Sequence, residues 1–371
     1  MIELTPLDPS GLSTAAQRAL GPGPGRAMAS KGMMPLPPGD QVAVLYQLSL
    51  DPDAQISIAS RATASGLPEK LLAGTLADPT IDPRILHFFG QLATEKAAVF
   101  DAIALNPSVD DSTLVMLAAK GDARGVDQIA QNEQRLLAHP EIIASMYMNR
   151  RARMSTIDRV VELAVRNHVR VPGLAAWDEV ARALTGTGGS SPVDDQVFQQ
   201  AADILTADDS ALTTGNADEA LPDDQDLDDS DGGNIQAQVA KMSVPGKIRA
   251  ATLGNAYVRS YLIRDPMKLV AVAAIKAPGV TEIEAARYAA NATLPEEVIR
   301  FIAGKREWTK LYGVKVSLCR NPKTPIADSI KLLPFLRERD LTNLAKSRGV
   351  ASAVVARARK LQMQRKGGSG K

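Results

Sequence analysis

Residues 247–350 read KIRAATLGNAYVRSYLIRDPMKLVAVAAIKAPGVTEIEAARYAANATLPEEVIRFIAGKREWTKLYGVKVSLCRNPKTPIADSIKLLPFLRERDLTNLAKSRGV. One rhythm recurs in this stretch: APGVTEIEAARYA from Ala277, NATLPEEVIRFIA from Asn291 and NPKTPIADSIKLL from Asn321. Toward the amino terminus, DPTIDPRILHFFG from Asp78 and NPSVDDSTLVMLA from Asn106 follow the same rhythm. Each copy opens on a small or turn-forming residue, followed in four cases of five by proline. Three positions on sits a mostly apolar or β-branched residue (Ile81, Val109, Val280, Leu294, Thr324). The next residue is a cap type or a proline (Asp82, Asp110, Thr281, Pro295, Pro325), and an apolar helical pattern follows.

Backbone sterics explain the pattern. A residue before proline is pushed out of the α region, so Asx-Pro closes the preceding helix. Asp or Thr then caps the next helix, or proline takes its first position, where no amide hydrogen is needed. The apolar residue before the cap can staple onto the following turn. Between starts there is room for one short helix or a helix pair, and recurrence of such a unit points to stacked helices.

These residues resemble the HEAT-like and leucine-rich-repeat-variant families of helical repeats. Asn321-Pro-Lys-Thr-Pro325 and Asn106-Pro-Ser-Val-Asp110, each with its helix, carry the likeness. The segment 247–359 is also similar to an uncharacterised bacterial family, which implies no activity. Spacing is ragged and the Asn291 copy lacks the first proline, so the same signals also fit an irregular helical bundle. The resemblance implies an all-α fold of two α-solenoid lobes.

Composition agrees with helices. Aromatic residues make up only 4% of the chain, so its core must be built from Ala, Leu, Val and Ile, which suits closely approaching helices. The single cysteine, Cys319, excludes an internal disulfide and reads as buried filler in a reducing cytoplasm. The start MIELTPLDPSG has no basic segment followed by an apolar core, and the most apolar run, 269–275, is far short of a membrane span. A soluble, cytoplasmic protein is expected.

In chain order, residues 1–38 carry seven prolines among glycines and read as a flexible arm. A helical-repeat domain is expected over 39–184, an acidic disordered linker over 185–240, a basic helical-repeat domain over 241–366 and a tail over 367–371. Within the linker, DDQVFQQAADIL from Asp194 could form one short helix.

Charge is strongly segregated. Residues 241–371 hold 26 Lys and Arg against 9 Asp and Glu, while 194–231 hold 13 acids and no base. The formal net charge of +1 therefore hides a dipole. The linker reads as a solvated spacer, or as a decoy folding over a basic surface.

That basic surface is the best site candidate. With 307–320 as one helix, Trp308, Leu311, Tyr312 and Cys319 share a face, and Arg306, Lys310 and Arg320 lie opposite, with Lys323 just beyond. Arg249, Arg259, Arg264 and Lys268 form a neighbouring row. Aligned cations suit a phosphate-tracking surface, or simply keep a repeat protein soluble. Lys315 falls in the apolar arc, so either Gly313 breaks the helix or the side chain snorkels to the surface.

His87, His139 and His168 are isolated from partners at metal-site spacing, and His87 reads as a core residue. No phosphate loop, nucleophile elbow or carboxylate pair can be placed, and Glu296 and Glu297 fit a helix N-terminus. Nothing points to a cofactor, a metal or a small-molecule substrate. The leading expectation is a non-enzymatic protein-binding scaffold. The alternative is nucleic-acid binding by the basic domain, with the acidic linker as autoinhibitor.

Overall fold

The computed structural model of the chain describes residues 2–92, 95–187, 192–200, 205, 208–213 and 237–368. Among the described residues the regular structure is helical and there is no strand, so the fold is all-α. Contacts divide the chain into two compact units, Met1–Gly173 and Leu174–Lys371.

The repeat starts fold much as their chemistry requires. Asp110 caps the helix Asp111–Lys120 by accepting from Ser112 N. Thr281 and Glu284 form a full capping box at the start of Glu282–Ala290. Pro295 and Pro325 differ from expectation: each sits at the N-cap, one residue before the first helical position, with extended ψ of 146° and 131°. The carbonyl of Pro295 still accepts the first helical bond, from Ile299 N at 3.4 Å, so the ring excludes only an amide hydrogen the cap never needs.

The turn residue that opens a repeat does a second job that no local reading discloses. Asn106 Nδ2 donates to Leu76 O (2.7 Å) and Asp78 O (2.9 Å), while its Oδ1 accepts from Ser108 N (2.8 Å). Asn149 bonds Ala118 O and Gly121 O, both at 2.8 Å, and accepts from Arg151 N at 2.9 Å. Asn321 bonds Ala289 O (2.9 Å) and Asn291 O (3.0 Å), and accepts from Lys323 N (3.0 Å). The last carbonyls of a helix lack intrahelical partners. Each asparagine supplies them to a helix about one repeat earlier.

In the second unit, the helices Trp177–Thr187, Val244–Leu253, Lys268–Lys276 and Glu296–Gly304 pack successively on one another. Beside them, Glu282–Ala290 packs on Tyr312–Arg320, which meets Glu338–Lys346. Small residues permit the close approach: Lys268–Lys276 buries Val270, Ala271, Ala273, Ala274 and Ile275. The final helix, Ser352–Gly368, closes on Glu338–Lys346 and on Ile326–Leu332.

Three boundaries need correction. The helix Trp177–Thr187 was expected to end the N-terminal domain but belongs to the second unit, where buried Glu179 takes Lys276 Nζ at 3.0 Å on both oxygens. The expected flexible arm is tied down: Tyr46 OH donates to Thr5 O (2.7 Å) and Leu7 N to Gln47 Oε1 (2.8 Å). Its helices Thr14–Leu20 and Pro24–Ser30 bury Ala16, Ala19 and Ala29 against Val44 and Leu48. Proline density misled there because Pro24 starts a helix.

Finally, part of the expected linker is packed. The short helix foreseen near Asp194 runs Pro192–Gln200, Phe198, Leu205 and Leu212 are buried, and Asp209 Oδ2 accepts Ala256 N at 2.8 Å. The acidic run 214–236 lies outside the described residues, and so does its proposed role as autoinhibitor.

Candidate macromolecule-binding surfaces

The expected cationic rows are largely spent on the fold itself. Arg249 is fully buried, its guanidinium carbon 4.7 Å from the centre of the Phe198 ring. Arg259 is buried and grips Glu284 through two bonds of 2.9 Å, while its Nη1 donates to Gly254 O at 2.6 Å. Half-buried Lys323 donates to Thr293 O (2.8 Å) and Leu294 O (2.6 Å). These three residues are withdrawn from any binding surface.

Lys268 and Arg320 are exposed but paired, with Glu297 at 2.7 Å and Asp340 at 3.1 Å. The hydrogen bond to Glu297 raises the Lys268 pKa and lowers that of Glu297. Arg264, Arg306 and Lys310 are exposed.

Residues 307–320 are not one helix. A 3-10 turn, Trp308–Lys310, is followed by Leu311 in extended backbone (φ −69°, ψ 134°), and a new helix spans Tyr312–Arg320. Arg306 and Lys310 therefore do not share a helical face with Arg320. The break falls at Leu311, and Gly313 is helical and buried. Lys315 turns out of the core, donating to Lys310 O at 2.7 Å, with its Nζ 5.7 Å from the centre of the Phe335 ring.

Two surface features escaped the sequence reading. The first is an open groove of about 620 Å³ along the helices Lys268–Lys276 and Glu296–Gly304. Val272, Phe301 and Gly304 give it an apolar lining, and Lys276, Glu297, Arg300 and Lys305 provide its charge. Phe301 is braced edge-on by Trp308 at 6.1 Å, and Lys305 Nζ lies 3.9 Å over that indole. Its sequence signal is faint: Phe301 and Lys305 stand about one helical turn apart, with Arg300 adjacent, in an otherwise ordinary amphipathic segment.

The second feature is Phe335, whose 64% exposure contrasts with burial of Phe88, Phe89, Phe100 and Phe198. A phenylalanine between a proline and two arginines, in LLPFLRER, was the available signal.

Candidate reactive groups are quiet. Cys319 is fully buried, and burial pushes its thiol up to about 12. No group of three or more metal-ligating side chains occurs among the described residues. His87 is buried, with Nδ1 2.8 Å from Thr113 Oγ1 and Nε2 3.1 Å from Gln91 Nε2.

Burial lowers the His87 pKa from the ordinary 6.5. The unfolded chain therefore takes up this proton first, and the histidine's contribution to stability is complete above the unfolded value and lost as pH falls through the folded one. In a proton NMR titration, the imidazole resonance that disappears in His87→Gln should titrate below pH 6.5. A midpoint at or above that value would contradict the buried, neutral ring.

Compared with known proteins, the chain matches no family model, no curated protein and no solved structure. Among the described residues the architecture is all-helical, and no matching family narrows it further. No helix among the described residues is long and apolar enough to cross a membrane.

Proposed function

We propose that the chain is a non-enzymatic scaffold of two α-solenoid lobes that binds a protein partner. The observation that carries this reading is the groove of Val272, Phe301 and Gly304 with Lys276, Arg300 and Lys305 around it. Stacked helical repeats present long continuous surfaces, and an apolar floor rimmed by charge supplies both contact area and orientation. Aromatic and arginine side chains are the residue types that dominate such contacts. Phe301 and Arg300 are the anchors in this account, and Lys305, held over Trp308, keeps the wall in place. On the rim Lys276 is held by Glu179 and Arg300 by Glu296, while Lys305 stands over the indole, so an acidic partner segment with an apolar anchor would meet Lys305 and compete with Glu296 for Arg300.

Selection of random displayed peptides on the full chain tests this directly. Acidic peptides with a bulky apolar residue should be enriched, and their affinity should fall about tenfold or more in Phe301→Ala and in Arg300→Glu. Enriched peptides that bind both variants as tightly as the wild type would remove the groove from the account. A chain that enriches no peptide at all would overturn the scaffold reading.

A further inference from the structure

Phe335 closes the 3-10 turn Leu333–Phe335, and the residues beside it decide where it points. Leu333 is fully buried and Leu336 is 3% exposed, so both turn into the core while Phe335 turns out. Arg365, from the last helix, holds the turn on both sides of the ring: Nη1 donates to Leu336 O (2.8 Å) and Nη2 to Pro334 O (2.6 Å). Arg337 N donates to Tyr312 OH at 2.9 Å, fixing the outgoing strand of the turn. The ring is thus presented on a clamped backbone.

Single exposed apolar side chains are ordinary. The surroundings of this one are not apolar but cationic. Lys315 Nζ stands 5.7 Å from the ring centre, and the Arg337 guanidinium lies 4.3 Å over the neighbouring Tyr312 ring. Neither Lys315 nor Arg337 pairs with a carboxylate among the described residues. The nearby acids are directed elsewhere: Asp340 takes Tyr312 OH (2.7 Å) and Arg320 (3.1 Å), and Glu338 lies 3.7 Å from Arg365. Arg339, Lys346, Arg348, Arg357 and Lys360, on or between the last two helices, are also exposed.

An exposed aromatic face set among cations suits a ligand with alternating flat rings and negative charges. We propose that Phe335, with Lys315 and Arg337, is a stacking platform for single-stranded nucleic acid: a base stacks on the ring and the flanking phosphates meet the two cations. Stacking of one base on an aromatic side chain is tolerant of sequence, and the phosphate contacts make binding salt-dependent. A duplex, whose interior bases are stacked on both faces, offers the ring only its two ends. The platform is separate from the groove and does not depend on the protein-binding reading.

The test uses the full chain with a fluorescein-labelled oligo-dT, an abasic oligomer of the same length, a duplex, and poly-glutamate as an anionic peptide control. Oligo-dT should bind in low salt with affinity falling as salt rises, and more tightly than the abasic strand or the duplex. Phe335→Ala should weaken oligo-dT binding about tenfold or more and leave abasic binding nearly unchanged. Arg337→Glu should weaken both. Phe335→Trp should retain binding and report it through quenching of the new exposed indole. Equal binding of oligo-dT and the abasic strand, tighter binding of poly-glutamate, or indifference to Phe335→Ala would each overturn the platform. No oligo-dT binding in low salt would do the same. Because Phe335 is exposed, loss of folding is not expected to confound its replacement, and circular dichroism of each variant checks that point.

Discussion

Glu284→Ala is expected to destabilise the second unit by about 3–5 kcal/mol, the range for breaking a buried ion pair from one side. Glu284 is 2% exposed and Arg259 4% exposed. The carboxylate accepts from Arg259 Nε and Nη2 (both 2.9 Å), from Tyr288 OH (3.2 Å) and from Thr281 N (2.9 Å). Removing it leaves a guanidinium that cannot lose its proton in an interior that cannot hydrate it. One bond to Gly254 O remains and does not offset that charge. The capping box at Thr281 is lost as well.

Trp177 and Trp308 are the only tryptophans in the chain, and both lie in the second unit, so indole fluorescence during urea unfolding reports on that unit. Lys331→Ala, which removes an exposed pair with Asp328, should shift stability by less than about 0.5 kcal/mol. The double replacement Arg259→Met with Glu284→Leu should recover most of the loss, because an apolar pair leaves no charge unmatched. A Glu284→Ala variant within about 1 kcal/mol of wild type would show that the pair is not a buried network.

The same pair shows why the basic surface was misread. Arg259 looks like a member of a cationic row because its partner lies 25 residues away on another helix. Nothing near Arg249 announces that it ends fully buried beneath Phe198, a residue from a segment that composition assigns to a spacer. Burial of a charged side chain is decided by tertiary pairing, and a charge count cannot register it. Helix starts were legible because caps are local: Asp110 and Thr281 bond amides two and three residues on. The break at Leu311 was not, because neither a proline nor a cap-type residue stands there, and the Trp308 ring just before it packs against Phe301, a contact between elements. Likewise Asn149 escaped notice as a turn residue: Arg150 follows it where four of the five other copies have proline, yet its bonds match those of Asn106.

Asn321→Ala should cost the second unit about 2–4 kcal/mol, since each buried polar group left without a partner costs about 1–3 kcal/mol. The amide is 4% exposed and its nitrogen serves Ala289 O and Asn291 O at the end of the helix Glu282–Ala290. Alanine leaves both carbonyls without that donor and also releases Lys323 N from the turn. Asn321→Asp should be worse than alanine at neutral pH, because a carboxylate would face two carbonyl oxygens.

Related turns in the chain supply the comparison. Asp265 does occupy such a turn, accepting from Met267 N at 2.8 Å, but its other oxygen takes Lys247 Nζ at 2.8 Å. Asp51 is matched in the same way by Arg26. Exposed Asp78 holds such a turn with no cation beside it among the described residues, whereas Asp51 and Asp265, whose side chains are buried, are each answered by one. An amide is needed where a buried turn residue faces only the carbonyls of the previous repeat. Urea midpoints read by tryptophan fluorescence should therefore fall in the order wild type, Asn321→Ala, Asn321→Asp. Should alanine prove neutral, the long-range bonds of this asparagine would be incidental to the stacking. Should aspartate match the wild type, the distinction between amide and acid turns would fail.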